Sequence, residues 1–377
     1  MLETTNERPR VLIGEDQGDV REALQILFSG AGYATEAAAT PDDLHAKLAI
    51  GKYDMVLMDL NYHRDTTSGK EGLDILTRLH KTPGSPPVIV MTGWGSIELA
   101  VQAMQIGARD FIQKPWDNAH LLRLAEKHIA EYRAEQLQRF KQEYELEEAA
   151  AVQRRLMPVV LPKVLGVDIA GHCQPAGAVA GDYFDVLQLG RKLGLCIADV
   201  IGKGLPAALI MSNLQAAVRL SAAEQVSPSE LCRQVNRLTC SNGSIGKYIS
   251  FFYAAYDPEL RTLTYSNAGH NPPVVVRANG ERVLLETGDL VLGYRSDCEY
   301  HNAELQLAPG DCVVLYTDGL TEAGEPEEFG VERLIELFRS NRGTPASEML
   351  PRVLASVAEH CSHNFHDDAT CLVISVN

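Results

Sequence analysis

Over its first 130 positions the chain alternates between two spacings of apolar residues. Short, nearly unbroken runs (RVLIG, YDMVLMDL, PVIVMTG, DFIQ) are separated by stretches such as DVREALQILFSGAG, where apolar residues recur every three or four positions and a glycine closes the segment. The runs predict buried strands, and the periodic stretches predict amphipathic helices. Strands alternating with helices pack as a doubly wound α/β layer, expected here as a parallel five-stranded sheet with helices on both faces. Ligands of such a layer sit at the carboxyl ends of the strands, and Glu15, Asp16, Asp59, Thr92 and Lys114 all fall there.

From Asn118 to Met157 no glycine or proline interrupts a helical pattern. Its apolar residues fall into three sets: Leu122, Ala125, Ile129 and Tyr132; Leu137, Phe140 and Tyr144; then Ala149, Val152 and Leu156. The register slips between sets, and so long a helix rarely stands alone, so a short dimeric coiled coil with a stutter is expected, the alternative being a single helix packed on its own domain. After Pro158 the spacing changes to hairpins, notably YISFFYAAYDPELRTLTYSNAG with its turn at Asp257 and Pro258. Helical stretches are predicted around 205–224, 228–240, 331–340 and 345–361. Segregated strands and helices give an α+β class, a β-sandwich flanked by helices.

Composition narrows the partners. The 377 residues are 45% hydrophobic and 22% charged, as in a soluble globular protein. A net charge of -16 leaves no basic surplus to neutralise phosphates and excludes a general nucleic-acid binder. No apolar run approaches the roughly 20 residues needed to span a bilayer, and the polar start MLETTNERPR does not resemble a signal peptide. The eight cysteines form no CxxC, and most, with strand-like neighbours such as LCIADV and DCVVLY, read as reduced core residues of a cytoplasmic protein.

Two constellations carry chemistry. Glu15 and Asp16 end the first strand and face Asp59 at the end of DMVLM; three acids in one crevice imply a magnesium ion. Thr92 offers a hydroxyl and Lys114 a point charge to phosphate oxygens. In this order, GED, VLMDL, VMTGWGS and GARDFIQKP resemble the motifs of response-regulator receiver domains over about residues 9–130. The resemblance implies phosphorylation of Asp59 by a sensor histidine kinase and magnesium at Glu15, Asp16, Asp59 and Asn61. It also implies a switch made of Thr92, Phe111 and Lys114, and a cis Lys114–Pro115 bond. One departure is the segment NYHRDTTSGKEG after Asp59, longer than in many receivers and similar to nitrogen-regulation-type ones.

The second constellation is Asp182, Asp199, Asp318 and Asp367, each beside a strand-like segment in a turn of small or polar residues. Burying several carboxylates together demands counter-charge, and hard divalent cations that activate a water supply it, which points to a hydrolase. AAAVQRRLMP, AGDYFDV, ADVIGKGLPAALIMS, FFYAAYD, SNAGHNPP, LAPGDCVVLYTDGLTEA and DDATCLVI, in this order, resemble the PPM family of metal-dependent phosphatases. The match is to its bacterial sporulation stage II E-type branch, over about 160–377. The resemblance implies two manganese or magnesium ions bridged by Asp199, the Val200 carbonyl as a backbone ligand, and Asp182, Asp318 and Asp367 as further ligands. Asp368, the neighbouring acid, is included in the metal set, with an orienting role favoured. Water activated by the ions then attacks phosphorus in line.

Other residues read less sharply. Lys203 stands where some relatives carry an acid histidine, so leaving-group protonation is not assigned to it. His270 and Asn271 suit either a substrate contact or a loop anchor, and Asp185 suits a supporting role. The spacing of His360, Cys361, His363 and His366 fits no standard zinc pattern. The expectation is a receiver (9–130), a helical linker (131–158) and a phosphatase (159–377), forming a homodimer with no nucleic-acid or membrane partner. The resemblance makes the substrate a phosphorylated anti-sigma-factor antagonist in a partner-switching pathway. The alternative is an adaptor that uses a phosphatase fold to bind a sigma factor or its regulator, expected to have lost metal carboxylates; none is lost here.

Overall fold

The computed structural model describes residues 8–62, 70–82, 84–93, 97–158, 160–241 and 246–377. The chain divides into two compact units, Met1–Glu143 and Tyr144–Asn377. Residues 63–69 of the long segment after Asp59 and residues 94–96 of VMTGWGS lie outside the described residues.

In the first unit the elements follow as β1 (Arg10–Gly14), α1 (Gly18–Gly30), β2 (Ala34–Ala38), α2 (Pro41–Ile50), β3 (Met55–Asp59), α3 (Lys70–His80), β4 (Val88–Thr92), α4 (Ile97–Ile106), β5 (Asp110–Gln113) and the start of α5 (Asn118–Arg154), whose residues from Tyr144 onward belong to the second unit. The strands form a parallel sheet in the order β2-β1-β3-β4-β5. Strand alternation splits the core in two. Val11, Ile13, Leu57, Ile89 and Met91 pack under α1 and the start of α5, where Leu121, Ala125 and Ile129 are buried. Leu12, Val56, Met58 and Val90 pack under α2, α3 and α4. The Lys114–Pro115 bond is cis.

Helix α5 runs on past this core. Arg133 Nε donates to Asp54 at 2.6 Å and the Tyr132 hydroxyl to the Gly84 carbonyl at 2.8 Å. Beyond them Leu137, Phe140 and Tyr144 are about half exposed, at 47%, 54% and 53%.

The second unit continues with β6 (Val167–Gln174), β7 (Tyr183–Leu189), β8 (Lys192–Val200), α6 (Leu205–Ser221), α7 (Pro228–Ser241), β9 (Ile249–Asp257), β10 (Thr262–Ala268), β11 (Val274–Val276), β12 (Arg282–Leu284), β13 (Ala303–Gln306), β14 (Cys312–Tyr316), α8 (Asp318–Thr321), α9 (Val331–Ser340), α10 (Ala346–His360) and β15 (Ala369–Val376). Two antiparallel sheets, β13-β10-β9-β8-β7 and β12-β11-β14-β15-β6, face each other. Their inner faces interdigitate through Phe184, Leu193, Leu195, Ile197 and Phe252 from one sheet and Val313, Leu315, Leu372 and Ile374 from the other. The outer face of the first sheet, with Cys196, Ala198 and Val200, lies under α6 and α7. The outer face of the second lies under α9 and α10. This is the expected sandwich flanked by helices. All eight cysteines are free, and among the described residues no helix is long and apolar enough to cross a membrane.

Candidate functional site

In the first unit, pairing of β1 with β3 (Gly14 beside Met58) brings the acids that follow β1 next to Asp59. Glu15 and Asp59 are buried. Lys114, just past β5, donates from Nζ to Glu15 Oε2 and to Asp59 Oδ2, both at 2.7 Å. Asn61 N donates to Asp59 Oδ1 at 3.1 Å. Burial raises the Glu15 carboxyl above its usual range despite Lys114. Burial alone would lower the Lys114 ammonium, but its bonds to Asp59 and Glu15 outweigh that and raise it. Glu15, Asp16 and Asp59 bring ligand oxygens within 4.8 Å of one another. The buried Asn61 Oδ1 has no hydrogen-bond partner among the described residues. An all-oxygen set of this kind fits a hard divalent cation. Thr92 ends β4, buried, and its carbonyl accepts from Lys114 N at 2.8 Å. Phe111, on β5, is 44% exposed.

In the second unit the acids arrive from both sheets. Asp182 directly precedes β7, whose pairing with β8 (Tyr183 beside Ala198) continues to set Asp182 against Asp199. Asp318 follows β14 and Asp367 precedes β15; these strands pair, and Thr317 N donates to the Thr370 carbonyl at 3.0 Å. The Thr317 hydroxyl donates to Asp182 Oδ2 at 2.8 Å, tying the two sheets together at the site. Gly319 permits the close approach, because a Cβ there would overlap the Asp368 carbonyl.

Mutual repulsion marks this cluster. Asp182, 1% exposed, is raised well above the usual carboxylate range by burial and by Asp199. Asp199 is pushed up to about 7 by burial and then by Asp318 and Asp367. Asp318 is raised by burial and by Asp367. The nearby ammonium of Lys203 sits at the rim, 3.0 Å from Asp367 Oδ2 and 2.6 Å from the His366 carbonyl. Crowded, buried acids with one ammonium at their rim are a donor set that fits divalent cations. They are looser than the first cluster: among the described residues, the Glu15, Asp16 and Asp59 group alone draws three acidic ligands within 4.8 Å.

The neighbouring acids differ. Asp367 is half-buried beside Lys203, whereas Asp368 is buried with both oxygens on backbone N–H groups, Ala176 at 2.8 Å and Gly181 at 2.6 Å. With both oxygens so occupied, Asp368 is less free than Asp367 to take a further partner. The Val200 carbonyl lies against Gly181, 3.3 Å from where a Cβ would stand.

His270 is buried, with Nδ1 2.8 Å from Ser250 Oγ and Nε2 3.1 Å from the Tyr316 carbonyl, and burial lowers its pKa to about 4. It is a neutral anchor between strands. Asp185 accepts from the Tyr183 hydroxyl at 2.9 Å and from Arg219 Nε at 2.8 Å, pinning α6 to β7. His360 and His366 turn to separate partners, the Glu327 carbonyl at 2.8 Å and Glu325 at 3.8 Å. Thr317 and Gln153 escaped sequence reasoning. The first had a signal in its place beside Asp318 in YTDG; the second had one in its place within AAAVQRRLMP.

Residues 11–126 match the response regulator receiver domain, and residues 190–377 match stage II sporulation protein E (SpoIIE). The phosphoserine phosphatase RsbU of Bacillus subtilis is 33% identical over 61% of this chain and 69% of its own length. Protein IcfG of Synechocystis is 27% identical over 62% of this chain, which spans 42% of that protein. The solved RsbU and RsbW domains of a Mycobacterium tuberculosis protein superpose with a TM-score of 0.53 at 28% identity, over 59% of this chain and 63% of that one. The SiaA-PP2C domain of Pseudomonas aeruginosa, with a TM-score of 0.57 at 23% identity over 63% of this chain and 98% of its own, shares the fold.

Proposed function

Because this chain belongs to the SpoIIE family of PPM phosphatases, with a response regulator receiver domain ahead of the phosphatase domain, we propose that it is a metal-dependent serine/threonine protein phosphatase controlled through Asp59. What supports the reading is the convergence of Asp182, Asp199, Asp318 and Asp367, three of them held above their usual pKa by burial and one another's charge. Together with the Val200 carbonyl, these four would hold two manganese or magnesium ions, Asp199 between them. When bound, such ions neutralise the acids, polarise a phosphoryl group and acidify a water. Thr317 fixes one oxygen of Asp182, Asp368 fixes the backbone at Ala176 and Gly181, and Lys203 sets a positive charge at the rim where a phosphate dianion arrives.

The substrate would be phosphoserine or phosphothreonine on an anti-sigma-factor antagonist. RsbU, a phosphoserine phosphatase, supports the phosphoserine part of that reading. In the receiver, a sensor histidine kinase would phosphorylate Asp59 with magnesium at Glu15, Asp16, Asp59 and Asn61, while Thr92 and Lys114 take the phosphate oxygens. Control would be a population shift carried along α5, with the exposed Leu137, Phe140 and Tyr144 pairing two chains.

The test is phosphate release from a phosphoserine protein with manganese, comparing wild type, Asp199→Ala, Asp59→Ala and acetyl-phosphate-treated protein. The expected result is loss of activity in Asp199→Ala and an acetyl-phosphate response that Asp59→Ala lacks. Full activity in chelator would overturn the metal-dependent reading, and equal rates with and without acetyl phosphate would overturn the control.

A further inference from the structure

The last turn of α5 makes a contact whose purpose lies outside the helix. Gln153 is 8% exposed, although α5 around it is largely polar and solvated. Its carboxamide bonds twice to one residue: Nε2 donates to the Ala180 carbonyl at 2.7 Å, and Oε1 accepts from Ala180 N at 2.9 Å. Gly181, next in the chain, gives its N–H to Asp368, and the residue after that is Asp182. Ala150, from the same turn of α5, packs with Val179 and with Ala208 of α6. Gln215 of α6 donates to the Leu156 carbonyl at 3.3 Å.

A buried carboxamide is tolerated because both of its ends are paired, and the same bonds satisfy the buried Ala180 peptide groups. The contact is also directional. One step along an α-helix turns a side chain by about 100°, so a two-point bond to Ala180 survives at one setting of α5.

From this geometry we infer that Gln153 is a positioning residue for the phosphatase reaction, acting through Ala180 and Gly181 on the cation affinity of Asp182 and Asp199. This rests on the reading that these two aspartates hold a cation. Asp182 leads into β7 on one side; on the other its backbone is held by two anchors, Asp368 on Gly181 and Gln153 on Ala180. Removing the second leaves a buried N–H and carbonyl unpaired, and the segment relaxes to rehydrate them. Asp182 then no longer stands fixed against Asp199. The consequence is weaker cation binding with phosphoprotein binding untouched.

The test measures manganese binding by the loss of free-ion electron paramagnetic resonance signal in full-length Asp59→Ala protein, which weakens the receiver's own acid set. Thermal melting and the kcat and KM for a phosphoserine peptide accompany it. Gln153→Met, similar in length but unable to pair, should weaken manganese binding roughly tenfold, as loss of a group that orients a ligand does. It should leave KM unchanged at saturating manganese. Gln153→Glu, which keeps the acceptor and loses the donor, should lie between Gln153→Met and the parent. Parental manganese affinity in either variant that melts cooperatively overturns the inference, as does a rise in KM alone. Failure of both variants to melt cooperatively makes Gln153 a residue of the fold and overturns the positioning role. Asp199→Ala separates the levels: if it keeps phosphatase-site binding, the underlying site reading fails; if it loses binding while both Gln153 variants bind normally, this inference alone fails.

Discussion

Both units gather acids at strand ends, and they handle the resulting repulsion in different ways. In the receiver, Lys114 reaches Glu15 and Asp59 at 2.7 Å each, so a cation belonging to the chain sits inside the cluster. In the phosphatase, the corresponding positive charge is Lys203 on a side chain 60% exposed, in contact with Asp367, while the deeper Asp182 is met by the neutral hydroxyl of Thr317. The first cluster therefore holds one ammonium among its three acids, which stay within 4.8 Å of one another. In the second, burial and mutual charge push Asp199 up to about 7 and raise Asp182 and Asp318, so these acids bind protons more readily than ordinary carboxylates. An acid set whose own ammonium sits only at its rim has a charge state that depends on small changes in geometry.

The largest expected effect breaks the comparison at its centre. Asp199→Ala should lower manganese-dependent kcat by at least about three orders of magnitude, the scale of losing a group that organises transition-state charge. Asp59→Ala should leave the basal rate near wild type. A basal rate lost in both variants would mean that the two clusters do not act separately.

The two lysines give the next contrast. Lys114→Met leaves Glu15 and Asp59 buried without their partner and should destabilise the receiver by about 3 kcal/mol. Both tryptophans, Trp94 and Trp116, lie in the receiver sequence, so urea unfolding followed by their fluorescence reads this unit. Lys203→Met, an exposed ion pair, should change stability by under about 1 kcal/mol, read by circular dichroism. Equal effects would remove the distinction between an internal and a peripheral counter-ion.

Legibility followed the same division. Each receiver residue ends an apolar run, so Glu15, Asp59, Thr92 and Lys114 could be placed from spacing, and the phosphatase aspartates from the strands beside them. The strand β2, with the sequence ATEAA, gave no apolar signal because it is an edge strand and half-buried over most of its length. Asp367 and Asp368 are indistinguishable as letters. They separate once the Ala176 and Gly181 N–H groups are seen to occupy one of them. His270 admitted two readings until burial and its two partners assigned it to the loop. Gln153 falls within AAAVQRRLMP, but its contact was not legible because its partner is a backbone 27 residues away, and a peptide group leaves no mark in sequence.

The smallest expected effect is in pH dependence and sharpens the contrast in counter-charge. Asp199 titrates at about 7 in the folded chain against an ordinary 3.8, so across that range the folded state holds a proton the unfolded chain has released. Stability in chelator therefore falls as pH rises through the window and levels off above it, by on the order of 1 kcal/mol per pH unit at most. His270 acts in the opposite sense: its folded value of about 4 lies below its ordinary 6.5, so its contribution is lost as pH falls between those values. Above 6.5 His270 is silent, and the fall that remains comes from Asp199, up to about 7, together with Asp182 and Asp318, which are raised in the same sense. Thermal melts in that region should show chelated protein losing stability as pH rises and manganese-saturated protein showing no loss, because the cation replaces the proton. Asp199→Asn should flatten the chelated curve. A chelated protein that gained stability above 6.5 would mean that the phosphatase acids are not held above their ordinary range.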